Sequence, residues 1–303
     1  MDNPRVAIIL VNWKSPQHTI DCIASVKKLF YTNYDLIVVE NGSDDNSSAL
    51  IRQAYPEIKM MEMSENLGFV GGNNVAIREA QTRGAEYILL LNNDTVVDSD
   101  FLNKLVEAIQ ADPAIGIVGP TIFYFDHPET IWSAGGEILW NAGLTRMSNI
   151  GETDHGQLGV APREVDFVTG CALLIKMEAI EKIGLLDPRF FAYYEEAEWC
   201  VRASRAGYKI IHVPTAKIWH KISLQEREAS PIVHYYMTRN RLLFLKLIKV
   251  GLGAWIYTLF FDLSPTLLSW WIKPKWQHKK LQRKMMVKAI FDFSLGRFGK
   301  LVS

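Results

Sequence analysis

"YILLLNNDTVV", residues 87–97, decides how this chain is read. Four aliphatic residues, Ile88 to Leu91, run directly into Asn92, Asn93 and Asp94 with no turn residue between, and the chain then becomes apolar again. A short continuous aliphatic run is the pattern of a strand buried on both faces, and such strands belong to parallel sheets covered by helices. In sheets of that kind ligands bind beyond the carboxyl ends of the strands. Asp94 therefore stands where a ligand would be, while the residues before it hold the strand in the core.

Three further runs repeat the pattern: "RVAIILVN" (5–12), "YDLIVVEN" (34–41) and "IKMMEMSEN" (58–66). Helical stretches are predicted between and after them at 15–30, 45–55, 71–83 and 99–111, the last with Leu102, Leu105, Val106 and Ile109 at helical spacing. The alternation reads as an α/β fold, a mainly parallel sheet flanked by helices. Each strand leaves its polar residues at one edge: Asn12, Glu40 with Asn41, Asn66, and Asn92 to Asp94. From about residue 115 the strands "IGIVGPTIFYF", "VDFVTGCALLIK", "YKIIHVP" and "AKIWHK", with a helix near 195–206, read as a mixed half of the same sheet. A boundary is placed near 230, giving a domain over 1–230 and a C-terminal helical segment over 231–303.

With 303 residues, 49% of them hydrophobic, the chain can bury a sizeable core and is not disordered. Its formal charge is zero but unevenly spread: nine Lys and Arg from Lys273 onward face Asp292 alone, a net +8, which leaves −8 on residues 1–272. No nucleic-acid partner is expected. Cys22, Cys171 and Cys200 are odd in number and widely separated, against both a disulfide framework and a zinc knuckle, so a reducing compartment fits. The opening "MDNPRVAIILVNW" lacks the basic start and long apolar run of a signal peptide, and a cytoplasmic location is expected.

Each polar segment has a functional and a plain reading. Glu40 can accept a hydrogen bond from a uracil or thymine imide, or be a loop acid ahead of an N-cap run. In "ENLGFVGGNNVAI" the glycines Gly68, Gly71 and Gly72 let backbone approach a ligand, and Asn73 and Asn74 are expected to open a helix whose free amides favour an anion; a tight turn is the simpler account. The spacing is not the G-x-G-x-x-G of dinucleotide enzymes. Asp94 suits a hard cation such as Mg2+ or Mn2+, which takes one or two carboxylates and fills its shell with phosphates and water; it also suits an Asx turn. Glu195, Glu196 and Glu198 begin a helix, where crowded acids raise a pKa toward that of a general base, although acids also suit a helix N-terminus. Glu198 precedes Arg202 by four residues and is assigned to structure. His220, after a strand and beside Trp219, is a cation ligand or a hydrogen-bonded core residue.

Taken in order, "ILVNWKSPQHTIDCIASV", "VVENGSDDNSS", "ENLGFVGGNNVAI", "LLLNNDTVVDSDFL", "VTGCALLIKMEAIEKIGLLDPRFFAYYEEAEWCVRASRAG", "VPTAKIWHK" and "YYMTRNRLLF" resemble the family 2 glycosyltransferases, in particular their rhamnosyltransferase-like branch, over about residues 5–245. The resemblance implies a GT-A type fold, a nucleotide-diphosphate sugar donor (dTDP- or UDP-linked), a divalent cation, Mg2+ or Mn2+, and transfer with inversion. By position it implies that Glu40 holds the base and that Asn12, Asn66, Gly68, Asn73, Asn74 and Asn92 line the donor. Asp94 would bind the metal, His220 would complete its shell, and Glu196, with Glu195 beside it, would be the catalytic base. The sequence departs from the family pattern in Glu40 for Asp, in N-N-D for D-x-D, and in Glu195-Glu196 for Glu-Asp. Sugar nucleotidyl transfer and a non-catalytic scaffold are the alternatives; against the first, no Gly-rich loop followed by Lys or Arg lies near residue 15.

Residues 242–272 carry only Lys246, Lys249 and Asp262 as charges. Asp262 and Pro265 interrupt the run and both flanks are basic, so a helical hairpin on or in the membrane interface is expected in place of a spanning helix. Trp255, Trp270, Trp271 and Trp276 would lie at headgroup level and the basic tail on anionic lipid at the inner face of the cytoplasmic membrane. A lipid-linked saccharide acceptor follows from that placement. A helical appendage packed on the core or a second subunit is the other reading, and homo-oligomer formation is left open.

Overall fold

The computed structural model describes residues 3–224 and 229–301. Its first half alternates as the sequence predicts: β1 (Val6–Asn12), α1 (Pro16–Val26), β2 (Tyr34–Glu40), α2 (Ser47–Ala54), β3 (Lys59–Glu62), α3 (Gly68–Thr82) and β4 (Tyr87–Asn92). There follow β5 (Thr95–Val97), α4 (Phe101–Gln110), β6 (Ile115–Tyr124), β7 (Ile131–Ser133), the hairpin of β8 (Gly136–Leu139) and β9 (Leu144–Met147), and β10 (Arg163–Glu164). Then come β11 (Ala172–Lys176), α5 (Met177–Ile183), α6 (Glu195–Arg205), β12 (Lys209–His220) and α7 (Pro231–Ile248). The chain closes with α8 (Leu252–Ile256), a π-helical stretch Tyr257–Leu263, α9 (Ser264–Ile272), a 3-10 turn Pro274–Lys279 and α10 (Lys280–Ser294).

The main sheet runs β10-β12-β6-β11-β4-β1-β2-β3. β10 and β11 oppose the other six strands of this run, as do β5 and β7, which pair with β12 and β6, so the carboxyl ends of those six share one edge. Register aligns Asn12 with Glu40 and Val11 with Asn92 along that edge. One face of the sheet packs on α3, α5, α6 and α7, with Trp199 and Phe244 fully buried; the other packs on α1 and α4. Each Ile, Leu or Val so removed from water contributes about 1.5–3 kcal/mol. The three cysteines are free and buried, and burial pushes the Cys22 and Cys200 thiols up to about 12 and raises that of Cys171.

Three expectations need correction. The runs at 208–214 and 216–221 form one strand, β12, whose ladder with β6 shifts between Val213 and Lys217 because Pro214 has no N–H to donate. Helix α3 starts at Gly68, not at 71, since left-handed Gly68 (φ +75°) turns the chain directly into helix. Its opening amides are already used: Leu67 N donates to Asn41 Oδ1, Gly68 N to Asn66 Oδ1 and Val70 N to the Phe191 carbonyl, so Asn73 and Asn74 do not present free donors to an anion. Finally, the apolar run from 242 begins as core, with Leu242 to Leu245 buried in α7, and only the part after Val250 turns outward.

Beyond that point α8, the π-helical stretch and α9 expose Phe260, Phe261, Trp271 and Ile272 at 66%, 69%, 71% and 65%. Of the four tryptophans expected at a headgroup layer only Trp271 is so exposed; Trp255 packs on Phe293, and Trp270 lies beside Trp276 under Lys279. Among the described residues no helix is long and apolar enough to cross a membrane.

Candidate active site

Asp94 follows the last residues of β4, and the chain reverses at once into β5, where Thr95 Oγ1 donates to the Asn92 carbonyl at 2.7 Å. β5 pairs with the end of β12, setting Thr95 opposite His220, and Lys221 N donates to the Asp94 carbonyl at 2.8 Å. The result is a side-chain pair, His220 Nε2 to Asp94 Oδ1 at 3.1 Å, with the Trp132 ring edge-on to the imidazole at 4.7 Å. Burial opposes a charged imidazole, but the neighbouring Cys171 and Asp94 outweigh it and lift His220 to about 10. Burial likewise opposes the Asp94 carboxylate, and His220 outweighs it and holds that carboxyl below its ordinary range. Among the described residues no group of three His, Cys, Asp or Glu is arranged to hold a metal ion, so a cation here meets one carboxylate and one imidazole, the latter once it has given up its proton. That donor set suits a hard divalent ion whose remaining positions are filled by phosphate and water.

Beside it lies an amide-rich cluster at the ends of β1 and β2. Asn12 Nδ2 donates to Glu40 at 3.3 Å, and Asn12 Oδ1 accepts from Thr19 Oγ1 at 2.8 Å and Asn93 Nδ2 at 3.4 Å. Glu40 also accepts from Ser43 N, at 3.2 Å to each oxygen, and from Ser43 Oγ. Asn41 Nδ2 donates to the Gly68 carbonyl at 3.0 Å and to Asn66 Oδ1 at 3.3 Å. Asn12, Glu40, Asn66, Gly68 and Asn92 thus share the edge on which Asp94 sits. Asn73 and Asn74 lie deeper in α3: Asn73 Nδ2 donates to the Phe69 carbonyl at 2.9 Å, and Asn74 exchanges bonds of 2.8 and 3.1 Å with the Leu186 backbone.

The acidic pair opens α6. Burial raises both carboxyl pKa values; the charge of Glu196 pushes Glu195 further, while the backbone amides of Glu196, Gly170 and Ala197 pull Glu196 partly back. Each acid has one buried oxygen with no hydrogen-bond partner. Their surroundings differ: Glu196, not Glu195, lines a cavity of about 380 Å³ walled by Thr145, Met147, Tyr193, Tyr194 and Met237. Glu198 is structural, bound to Arg202 at 2.8 Å, and Arg202 also caps the Ile183 and Leu185 carbonyls. One turn connects the metal-type pair and the acids, because the Cys171 carbonyl accepts from Asn92 N at 2.8 Å and the next residue back, Gly170, turns its amide on Glu196.

Asn93, expected at this edge, joins the cluster, whereas Thr19 and Ser43 carry no signal in the sequence that marks them as members. Arg239 and Asn240 are a further omission. Asn240 Nδ2 contacts the carbonyls of Phe190, Ala192 and Tyr193 immediately before the acids, and "TRNR" gives no hint of it.

A sheet edge carrying a carboxylate–imidazole pair and an amide-rich cluster, with a buried acid lining a cavity, fits a GT-A type glycosyltransferase. The chain belongs to glycosyl transferase family 2, whose description matches residues 7–184. A dTDP-rhamnosyl transferase of Shigella flexneri is 22% identical over 274 residues, 88% of each chain. An N-acetylglucosaminyl-diphospho-decaprenol L-rhamnosyltransferase of Mycobacterium tuberculosis is 22% identical over 231 residues, 70% of this chain and 75% of that one. Among solved structures, a mannosyltransferase of Pyrobaculum calidifontis in complex with GDP-Man and Mn2+ superposes with a TM-score of 0.61 at 13% identity, covering 97% of this chain and 88% of its own. The protein is an enzyme that transfers glycosyl groups, not a sugar nucleotidyltransferase.

Proposed function

We propose that the chain moves a hexosyl or deoxyhexosyl group, rhamnose first among the candidates, from a dTDP- or UDP-sugar to a hydroxyl of a lipid-linked saccharide, with inversion. The observation that carries this reading is that one turn ties the two chemical parts together. Asp94 pairs with His220 just after Asn92, whose amide is held by the Cys171 carbonyl, and Glu196, which lines a cavity, takes the amide of Gly170. Asp94 and His220 would hold Mg2+ or Mn2+, whose charge stabilises the departing diphosphate. Asn12, Glu40, Asn66, Gly68 and Asn92 would surround the donor, with Asn73 and Asn74 shaping the helix behind them.

The acceptor oxygen attacks the anomeric carbon as the bond to the diphosphate oxygen breaks. The hydroxyl proton passes to a carboxylate of the acidic pair, and a raised pKa brings that base closer to neutral pH. Glu196 takes this role because it lines the cavity, whereas Glu195 is buried and does not. The names of the two rhamnosyltransferase relatives support rhamnose, and the decaprenol in one of them supports a lipid-linked acceptor.

We place the exposed apolar face of α8 to α9, with the basic residues that follow it, on the inner surface of the cytoplasmic membrane. Residues 1–230 form the transferase domain in this reading; of 231–303, α7 packs on that domain and the part after Val250 meets the lipid. The test is a donor screen with purified protein and Mn2+. Nucleoside diphosphate release from dTDP-rhamnose or a UDP-sugar is expected, and absence of binding by every nucleotide sugar tried would end the proposal.

A further inference from the structure

Three residues ahead of the acidic helix hold a backbone conformation that side chains disfavour. Phe191, Tyr193 and Tyr194 have φ of +66°, +73° and +73°, and none is glycine. Each left-handed position costs about 1–2 kcal/mol, and such strain persists only where the surroundings over-determine it. Tyr194 is the residue that caps α6, so the path of this loop fixes where Glu195 and Glu196 begin.

The constraint comes from α7. Asn240, with no exposed surface, donates through Nδ2 to the carbonyls of Ala192 at 2.7 Å, Phe190 at 2.8 Å and Tyr193 at 3.0 Å. Its other amide atom is committed elsewhere, because Asn240 Oδ1 accepts from Arg239 Nε at 3.0 Å. Arg239 has no acceptor to offer, so the oxygen of Asn240 must face the guanidinium and the NH2 group must face the loop. Arg239 adds its own bonds from Nη2 to the Phe190 and Arg189 carbonyls at 3.1 and 3.3 Å, and is itself fixed between the Tyr235 and Tyr236 rings, 5.1 Å from each. Three carbonyls gathered on one amide would repel each other without it.

We propose that Asn240 is a positioning residue for the reaction: it gathers the 190–193 carbonyls, forces the left-handed turn, and so stands Glu196 at the mouth of its cavity. The inference rests on the reading of Glu196 as the base. It assigns function to a side chain that touches no substrate and lies some forty positions downstream of the acid.

The test compares wild type, Asn240→Asp and the double variant Asn240→Asp with Phe191→Asn, all as full chains. Asp keeps the shape and loses the NH2 donors; Asn at 191, outside the cavity wall, tolerates positive φ and reduces the need for the clamp. Three quantities are read: Mn2+-dependent hydrolysis of dTDP-rhamnose, dTDP affinity by calorimetry, and amide exchange along the chain. Asn240→Asp should lower kcat by about 10²-fold, the scale of a small misplacement of a reacting group, with KM and dTDP affinity unchanged and faster exchange confined to 189–197. The double variant should recover a substantial part of kcat. Unchanged kcat and exchange would overturn the proposal, as would loosening spread over the whole sheet or no recovery in the double variant. Should wild type fail to turn over any donor, the transferase reading fails separately, and local against global exchange still decides the clamp.

Discussion

At the scale of single residues the two parts of the site make separable predictions. Glu196→Gln should lower kcat by about 10²–10⁴-fold, the range for losing a general base, with dTDP–Mn2+ affinity intact. Asp94→Ala should do the reverse, abolishing the strengthening of dTDP binding by Mn2+ in calorimetry. Glu195 carries a stability signature. Burial and the charge of Glu196 raise its native pKa, so above the ordinary glutamate range the native state holds a proton that the unfolded chain has released. Stability therefore falls as pH rises through that window, and Glu195→Gln removes the loss. The variant should melt progressively higher than wild type as pH rises above the ordinary glutamate range, with no gain below it. Asp94 was readable because a carboxylate after four aliphatics has no place in a core. Asn240 was not, because an amide amid "YYMTRNRLLF" looks like any polar position on a helix, and only tertiary structure shows the carbonyls it serves.

The elements were legible wherever one period dominated. β1, β2 and β4 are uninterrupted aliphatic runs, and α4 keeps its apolar residues on one stripe, so their order and the functional edge followed directly. The start of α3 was not legible, because a Gly-rich run has weak helix propensity and is held here by Asn41, Asn66 and Phe191. That contact makes a prediction at this scale. A Cβ at Gly68 would lie 2.5 Å from the Phe191 carbonyl oxygen, on a residue already at φ +75°, whereas left-handed Gly84 has nothing within 4 Å. Gly68→Ala should destabilise by about 1–3 kcal/mol more than Gly84→Ala in urea unfolding, and should disturb activity where Gly84→Ala does not.

For the molecule as a whole, the uneven charge and the outward face of α8 to α9 act together. Lys280, Arg283 and Lys284 line one groove with exposed Trp271, and Phe260 and Phe261 are exposed as well, so sedimentation with phosphatidylglycerol vesicles should exceed that with phosphatidylcholine and weaken as salt rises. Phe260→Ser with Phe261→Ser should weaken both without lowering the melting temperature, since neither ring is part of the packed core. This division between core and outward face was only partly legible, because residues 242–248 and 252–272 are both largely apolar in composition, and only packing on the core tells one from the other. The three interior thiols have a practical corollary. All are enclosed, and at neutral pH the protonated form is overwhelmingly favoured, so maleimides should pass them by while the fold holds. A cysteine introduced on the outer surface of α9 would thus accept a fluorophore alone, giving a site-selective optical reporter of lipid contact without first removing the native sulfur atoms.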